Sequence, residues 1–166
     1  TIEHLLVMPV TPFEIMTAKI WSMGLVVLLV SSLALVGVVQ GFLAVPIQGS
    51  IALFVLATAL FLGAMTSLGI ALATVAGSMP QFGLLLLLTL LPLLILSGDV
   101  TPFESMPAII QKIMLVAPNT HFVVLAQSIL FRGAGLDIVW PQFLALLVIS
   151  AVLLLFALSR FRRFLK

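Results

Sequence analysis

The sequence predicts an all-α polytopic membrane protein with four transmembrane helices and an outer re-entrant helical hairpin. Hydrophobic residues make up 63% of the chain and charged residues 7%, and the mean hydropathy is +1.41. Soluble domains carry about 25% charged residues, so this chain cannot cover itself with a water-compatible surface. In addition, no Asp, Glu, Lys or Arg occurs between residues 20 and 98. One bilayer crossing needs about 20 apolar residues, so this run has room for three spans with short connections.

Interruptions of the apolar pattern place the spans. The first is followed by a Gly- and Pro-containing stretch ending at Pro46, the second stops at "AGSMPQ" (76–81), and the third contains Pro92 and closes at "SGD" (97–99). The last leads into "SRFRRFLK" (159–166). The four predicted spans are residues 20–39, 51–75, 82–96 and 139–158.

The basic residues predict the topology. Four spans place both ends of the chain on one side of the membrane, and cytoplasmic segments are the ones enriched in Lys and Arg. Five basic residues lie on the same side as the chain ends, namely Lys19, Arg160, Arg162, Arg163 and Lys166. Only two, Lys112 and Arg132, lie in the long connection between the third and fourth spans. We therefore expect residues 1–19 and the tail 159–166 to be cytoplasmic, and residues 97–137 (the outer segment) to lie outside.

The word "VTPFE" occurs twice, at residues 10–14 and 100–104. Thr followed by Pro, with Glu two places later, is typical of a helix start, because Thr caps an open N–H, Pro tolerates the first position and Glu completes a capping box. Three predicted spans separate the copies, so they lie on opposite sides of the bilayer. We interpret the repeat as a helix start used twice, not as a duplicated site.

The second copy cannot begin a membrane span. Residues 108–116 and 122–131 form two short apolar pieces, interrupted by "APNTH". Apolar stretches of this length are more often re-entrant or interfacial than spanning. The pattern predicts a helical hairpin joined at Pro118 and Asn119 that dips into the outer leaflet. Two amphipathic helices lying flat on the outer surface are an equally weighted alternative.

The second predicted span carries small residues at every fourth position. This spacing lets helix backbones approach closely in lipid. We expect the stripe to pack within one subunit, with a subunit interface as the alternative. The four residues are Ala59, Gly63, Ser67 and Ala71.

Candidate catalytic and metal sites are missing from the sequence. The predicted topology puts His4 and His121 on opposite sides of the membrane, and the chain has neither cysteine nor a GxxxxGK phosphate loop. No ionisable residue lies in the middle of a predicted span, which argues against a self-powered secondary transporter. The net charge of +2 is too small to indicate a nucleic-acid partner. We therefore expect a chain that is not an enzyme and binds no cofactor.

Two segments resemble a known family. "EHLLVMPVTPFEIMTAK" (3–19) resembles the cytoplasmic loop of ABC-2 type exporter permeases, and "LSGDVTPFESMPAIIQKIMLVAPNTHFVVLAQSILFRG" (96–133) resembles their outer segment. The sequence departs from the family at Asp99, where an apolar residue is usual, and at "PNTH", where Asn-Pro is more usual. The resemblance implies the C-terminal part of a six-span permease in the bacterial cytoplasmic membrane.

That resemblance also implies partners. Two permease cores would pair in the lipid bilayer, and two ATP-binding cassette subunits or domains, which bind the ATP, would drive them. Coupling to the ATPase would involve Glu3, Leu5, Leu6, Pro9 and Glu14. The outer hairpin would line the exit path through Ser97, Gly98, Asp99, Pro102, Glu104, Pro107, Asn119 and His121. An apolar pathway favours an amphiphilic or hydrophobic cargo.

Two rival functions stay open at the level of sequence. One is a secondary transporter or channel whose working residues lie elsewhere in a longer polypeptide, and the other is a membrane scaffold that transports nothing. An adjacent or fused ATP-binding cassette would favour the exporter. A charged residue at mid-membrane in further spans would favour the secondary transporter.

Overall fold

The computed structural model describes the backbone of residues 12–98 and 100–164, and the side chains of residue 18, 21–98 and 100–160. Over these residues the structure is helical and contains no strand, which confirms the predicted all-α class. Its elements are α1 (Pro12–Ala34), a π-helical segment (Leu35–Phe42), α2 (Ile51–Val75), α3 (Met79–Ile95), a 3-10 turn (Phe103–Ser105), α4 (Ala108–Met114), α5 (Pro118–Arg132) and α6 (Leu136–Phe164).

Three helical stretches are long and apolar enough to cross a membrane, namely Trp21–Phe42, Ile51–Val75 and Leu136–Arg160. They have mean hydropathies of 2.5, 2.2 and 2.5. The third predicted span corresponds to α3, which has only 17 residues. At 1.5 Å per residue α3 is about 25 Å long, slightly short of the hydrocarbon core. It buries none of its side chains, as expected for a helix that faces lipid.

The chain divides into two compact units, residues 1–43 and 44–166. The described part of the first unit is α1 with the π-helical segment. In α1 the hydroxyls of Ser31 and Ser32 both donate to the carbonyl of Leu28, at 3.0 and 2.7 Å. Because these hydroxyls bond within their own helix, the two serines are compatible with an apolar span.

The second unit is built around α2. This helix packs along α6 and α5, which also pack on each other, while α3 touches α2 and α5. The fully buried side chains are Ala57 and Ala64 of α2, Leu125 and Ile129 of α5, and Leu146 of α6. The small side chains of Ala57 and Ala64 let neighbouring helices approach α2 closely, and close packing favours helix association in lipid, where the hydrophobic effect between helices is absent.

Local capping explains why α3 begins earlier than the predicted residue 82. The Ser78 hydroxyl accepts the N–H of Gln81 at 3.4 Å, and the Gln81 side chain accepts the N–H of Gly77 at 2.8 Å. This arrangement resembles a capping box, with the Gln81 side chain bound to the N–H one residue before the N-cap Ser78, and Pro80 in the first turn is compatible with it. The "AGSMPQ" break is therefore a tight turn that ends in a helix start.

The two copies of "VTPFE" differ in structure. The first copy enters α1 at Pro12, as predicted, while Thr11 lies outside the described residues. The prediction for the second copy was wrong, since Phe103–Ser105 forms only a 3-10 turn and α4 begins at Ala108. Pro107 explains the difference. A proline disfavours helical backbone at the residue before it, and Met106 is extended, with φ −81° and ψ 148°.

Candidate functional site

The predicted helical hairpin corresponds to α4 and α5, whose axes differ in direction by 87°. The expected interruption at "PNTH" was wrong, because these residues form the first turn of α5 and the break lies at residues 115–117. Pro118 has no N–H to lose at the first helical position, so it starts the helix. Gly133 ends α5 in the left-handed conformation with φ +63°, which glycine adopts without strain.

Helix α5 lies antiparallel along α2. At its end, the N–H of Gln48 donates to the carbonyl of Leu130 at 3.0 Å. Near its start, the ring of Phe122 stacks on Phe61 with centroids 4.3 Å apart and packs at a tilt against Phe54 at 6.2 Å. Together α4 and α5 are long and apolar enough for a broken span or a re-entrant loop, so the re-entrant hairpin stays a prediction.

The contact between the C-terminal end of α5 and the residues before α2 depends on glycine. A Cβ built on Gly49 would overlap the carbonyl oxygen of Ile129, and a Cβ on Gly133 would lie 3.2 Å from the carbonyl oxygen of Gln48. The connection before α2 and the end of α5 therefore approach backbone to backbone. This approach fixes where α5 ends relative to α2.

The first turn of α5 holds two of the predicted exit-path residues. Asn119 is 7% exposed and its neighbour Thr120 is 4% exposed. The Oδ1 of Asn119 and the Oγ1 of Thr120 are buried without a hydrogen-bond partner. His121 is only half-buried, and its Nε2 lies 2.8 Å from the carbonyl oxygen of Leu115, so an Nε2–H ties this turn to the end of α4.

The other exit-path residues lie before α4. Ser97 is buried and donates to the carbonyl of Leu94 at 3.0 Å, and Gly98 has a φ of +98° that favours glycine. Of the remaining exit-path residues, Pro102, Glu104 and Pro107 are exposed, while Asp99 lies outside the described residues. The structure thus places one part of the set in the first turn of α5 and the other part in the connection between α3 and α4.

The stripe of small residues on α2 is half buried. Ser67 and Ala71 are buried, whereas Ala59 and Gly63 are exposed. The hydroxyl of Ser67 donates to the carbonyl of Gly63 at 2.8 Å and lies 3.5 Å from the hydroxyl of Ser150 on α6. This part of the stripe packs inside the unit, against α6.

Sequence reasoning missed the alanines that form the centre of the buried face of α2. They are Ala57 and Ala64, both with no exposed surface. Their signal is a spacing of seven residues that continues to Ala71, which keeps all three on one face of a helix. The every-fourth-residue pattern drifts off this face, which explains why Ala59 faces outward.

The predicted coupling residues Glu3, Leu5, Leu6 and Pro9 lie outside the described residues, as does His4. Glu14 belongs to α1, but its side chain is not described. Their role stays a prediction. Within the described part of the chain, no three side chains of His, Asp or Glu are grouped so that they could hold a metal ion.

Comparison of the sequence with those of known proteins identifies a family. Residues 1–131 match the ABC-2 type transporter family. The chain is 64% identical over 163 residues to the inner membrane transport permease YhhJ of Escherichia coli K12, covering 98% of this chain and 44% of that protein. It is 29% identical to the probable multidrug ABC transporter permeases YbhR, over 98% of this chain and 44% of that protein, and YbhS, over 92% and 40%, of the same strain. No solved structure gives a significant match.

The chain spans less than half the length of the curated relatives it matches. The matched region includes residues 1–19 and the outer segment up to residue 131. Together with the apolar helices, these relatives identify a multi-pass protein of the inner membrane. The chain belongs to the ABC-2 type transporter family, as part of its permease domain.

Proposed function

We propose that this chain is part of the membrane-spanning permease of an ATP-driven exporter. It forms part of the substrate translocation path and couples to a nucleotide-binding subunit or domain, which binds and hydrolyses the ATP. The permease itself is no enzyme and holds no cofactor. The observation that carries this proposal is the ABC-2 type transporter match over residues 1–131, supported by relatives named as transport permeases.

The distribution of charge supports an external source of energy. Residues 20–98, which include α2 and α3, contain no Asp, Glu, Lys, Arg or His. A proton-driven carrier needs a titratable group at depth, because the proton must be bound and released there. The lack of such a group in these helices is consistent with a permease whose conformational change is driven by ATP hydrolysis in a partner.

The α4–α5 pair supports an outer gate or lining. Irregular backbone at membrane depth is tolerated only where protein surrounds it or where it faces a water-filled cavity. Here the break at residues 115–117 leads into α5, which is packed on α2 and α6. A broken helix pair held beside a spanning helix is suited to close or line the outer end of a path.

Coupling is assigned to residues 3–14, which lie before α1 and in its first turn, on the predicted cytoplasmic side. Leu5 and Leu6 would supply apolar anchors in a groove of the ATPase, Glu3 a polar contact at its rim, Pro9 would shape the segment, and Glu14 would lie in the first turn of α1. Short helices with apolar anchors bind soluble partners in this way. A second permease core completes the assembly. The cargo is amphiphilic or apolar, in line with the word "multidrug" in the names of YbhR and YbhS.

The test is the double substitution Leu5→Ala and Leu6→Ala in the full-length permease, expressed with its ATPase. Truncating a buried interface leucine costs about 1–3 kcal/mol of docking energy. The amount in the membrane should stay near normal, while co-purification of the ATPase and substrate-stimulated ATP hydrolysis should fall sharply.

The matched control is Leu136→Ala with Ile138→Ala. These side chains are 57% and 63% exposed at the start of α6, on the predicted outer side. This control should keep both readouts at the wild-type level. If the Leu5/Leu6 variant also keeps wild-type co-purification and ATP hydrolysis, the coupling assignment is wrong. That result would favour a secondary transporter, a channel or a scaffold.

A further inference from the structure

The first turn of α5 begins about midway along α2. Phe122 stacks on Phe61, which lies ten residues beyond Ile51 in a helix of 25 residues. At 1.5 Å per residue, that is about 15 Å from the start of a helix about 37 Å long. Residues 118–121 precede Phe122 in a helix antiparallel to α2, so they lie at this depth or deeper.

Two polar side chains of this turn have an oxygen atom without a hydrogen-bond partner. Asn119 and Thr120 are more than nine-tenths buried, and Asn119 Oδ1 and Thr120 Oγ1 make no hydrogen bond. By contrast, the buried hydroxyl of Thr58 on α2 donates to the carbonyl of Phe54 at 2.9 Å. A buried polar atom without a partner is unfavourable, so these two oxygens need a bound group or an ordered water as a partner.

The backbone of the same turn is open as well. Ala117 at the N-cap of α5 offers no side-chain hydrogen bond, and Pro118 has no N–H. The next N–H groups at the start of an α-helix have no partner inside the helix. Side chains in a helix tilt towards its N-terminus, so those of Asn119 and Thr120 point to this open end.

These groups define the chemistry of a ligand. Asn119 Oδ1 needs a donor, and the N–H groups of the turn need an acceptor. A bare cation is disfavoured by the positive end of the helix, and a bare anion leaves Oδ1 unmatched. A neutral hydroxyl or amide satisfies both, because it donates and accepts.

An apolar wall lies next to this polar turn. Phe122 is three residues after Asn119, so both lie on the same side of α5. Its ring packs against Phe54 and Phe61 of α2. A ligand with its polar group at the turn would therefore place its alkyl or aromatic part against these rings.

We propose that the first turn of α5 is a binding site for the hydroxyl or amide group of a neutral amphiphile, held by Asn119 and Thr120, with the apolar part of the molecule against Phe122. The inference rests on the proposed function, because it names the class of molecule that the permease handles. It also explains why a helix start without a cap lies among buried apolar side chains.

The probe is an octanol that carries a photoreactive diazirine on its chain, applied to the full-length permease purified with its ATPase. After illumination, mass spectrometry should locate adducts at residues 118–122 and on the facing stretch of α2. Unlabelled octan-1-ol should compete, whereas 1-methoxyoctane, which has no donor, should compete much less. Labelling needs no ATP, so its failure is distinct from a failure of coupling through Leu5 and Leu6.

Matched variants test the two side chains. Asn119→Leu with Thr120→Val keeps the approximate volumes but removes the polar groups, and labelling at the site should fall about tenfold, the usual consequence of losing one or two net hydrogen bonds. Thr120→Ser should retain labelling. Gln127→Leu, at an exposed position of the same helix, should leave labelling unchanged.

Three results would overturn the proposal. The first is labelling spread over lipid-facing helices. The second is unaltered labelling in the double variant, which would assign the two buried atoms to ordered water alone. The third is equal competition by the alcohol and the ether in the wild-type protein. That comparison needs no variant, so it decides the matter even if the double variant does not accumulate.

Discussion

The rings of Phe61 on α2 and Phe122 on α5 are stacked, with centroids 4.3 Å apart and planes only 12° apart. The two residues are 61 positions apart in the sequence, and their contact fixes how far α5 extends along α2. Together with the hydrogen bond from Gln48 to Leu130 at the other end of α5, it defines where α5 is held along α2.

We expect a measurable coupling between the two rings. Aromatic pairs contribute about 0.5–1.5 kcal/mol beyond their buried area, so Phe61→Leu and Phe122→Leu should be non-additive by that amount. The measurement is a double-mutant cycle on the thermal unfolding of the full-length permease in detergent. Phe131→Leu, at a ring that is 62% exposed, should be additive with Phe61→Leu. Full additivity of Phe61→Leu with Phe122→Leu would contradict the stacked arrangement.

Gly49→Ala should loosen the outer end of α5. The added methyl would overlap the Ile129 carbonyl oxygen, and the backbone must move away. Such crowding costs about 1–3 kcal/mol, which should appear as a lower unfolding temperature. The control is Gly69→Ala in α2, where an added Cβ meets no atom within 4 Å. That change should be neutral or slightly stabilising, because alanine favours the helix. Equal effects at the two glycines would exclude the close approach at Gly49.

The α2–α6 contact should tolerate little added volume at Ser67. Ser67 is 5% exposed and faces Ser150 of α6, so Ser67→Leu should destabilise the protein by about 1–3 kcal/mol through overpacking. Ser67→Ala should cost less than about 1 kcal/mol, since its hydroxyl bonds mainly within its own helix. Ala59→Leu, on the exposed side of α2, should change the unfolding temperature little. A large loss with Ala59→Leu would instead place a subunit interface there.

Topology can be tested with single cysteines at Ser105 and Ser159, both exposed. In a full-length permease otherwise free of cysteine, an impermeant thiol reagent applied to cells with a permeabilised outer membrane should label Ser105→Cys. It should not label Ser159→Cys until the inner membrane is opened. The reason is the larger number of basic residues near the ends of the chain, which favours a cytoplasmic location. The reverse pattern of labelling would invert the predicted topology.

The sequence by itself determined the membrane class and the approximate position of the apolar helices. The run from residue 20 to 98 has no charged residue, so it is compatible with lipid and not with a water-exposed surface. The break before α3 is encoded locally by the capping hydrogen bonds of Ser78 and Gln81. Composition and capping are local properties, so these predictions hold without knowledge of the tertiary structure. Local signals also misled in one place. "TPFE" at residues 101–104 has the pattern of a helix start, but Pro107 keeps Met106 extended.

Only the tertiary structure decided which residues of α4 and α5 lie close to one another and to α2. Whether Asn119 lies in a loop or in the first turn of α5, and whether its oxygen finds a partner, depends on where α5 sits against α2. That position is set by contacts distant in the sequence, such as Phe61 with Phe122 and Gly49 with Ile129. Such contacts join helix faces that the sequence does not reveal, because nearly every position is apolar and no polar–apolar periodicity marks the buried face. When almost every position is apolar, shape and close approach, not polarity, select the neighbours of a helix in lipid.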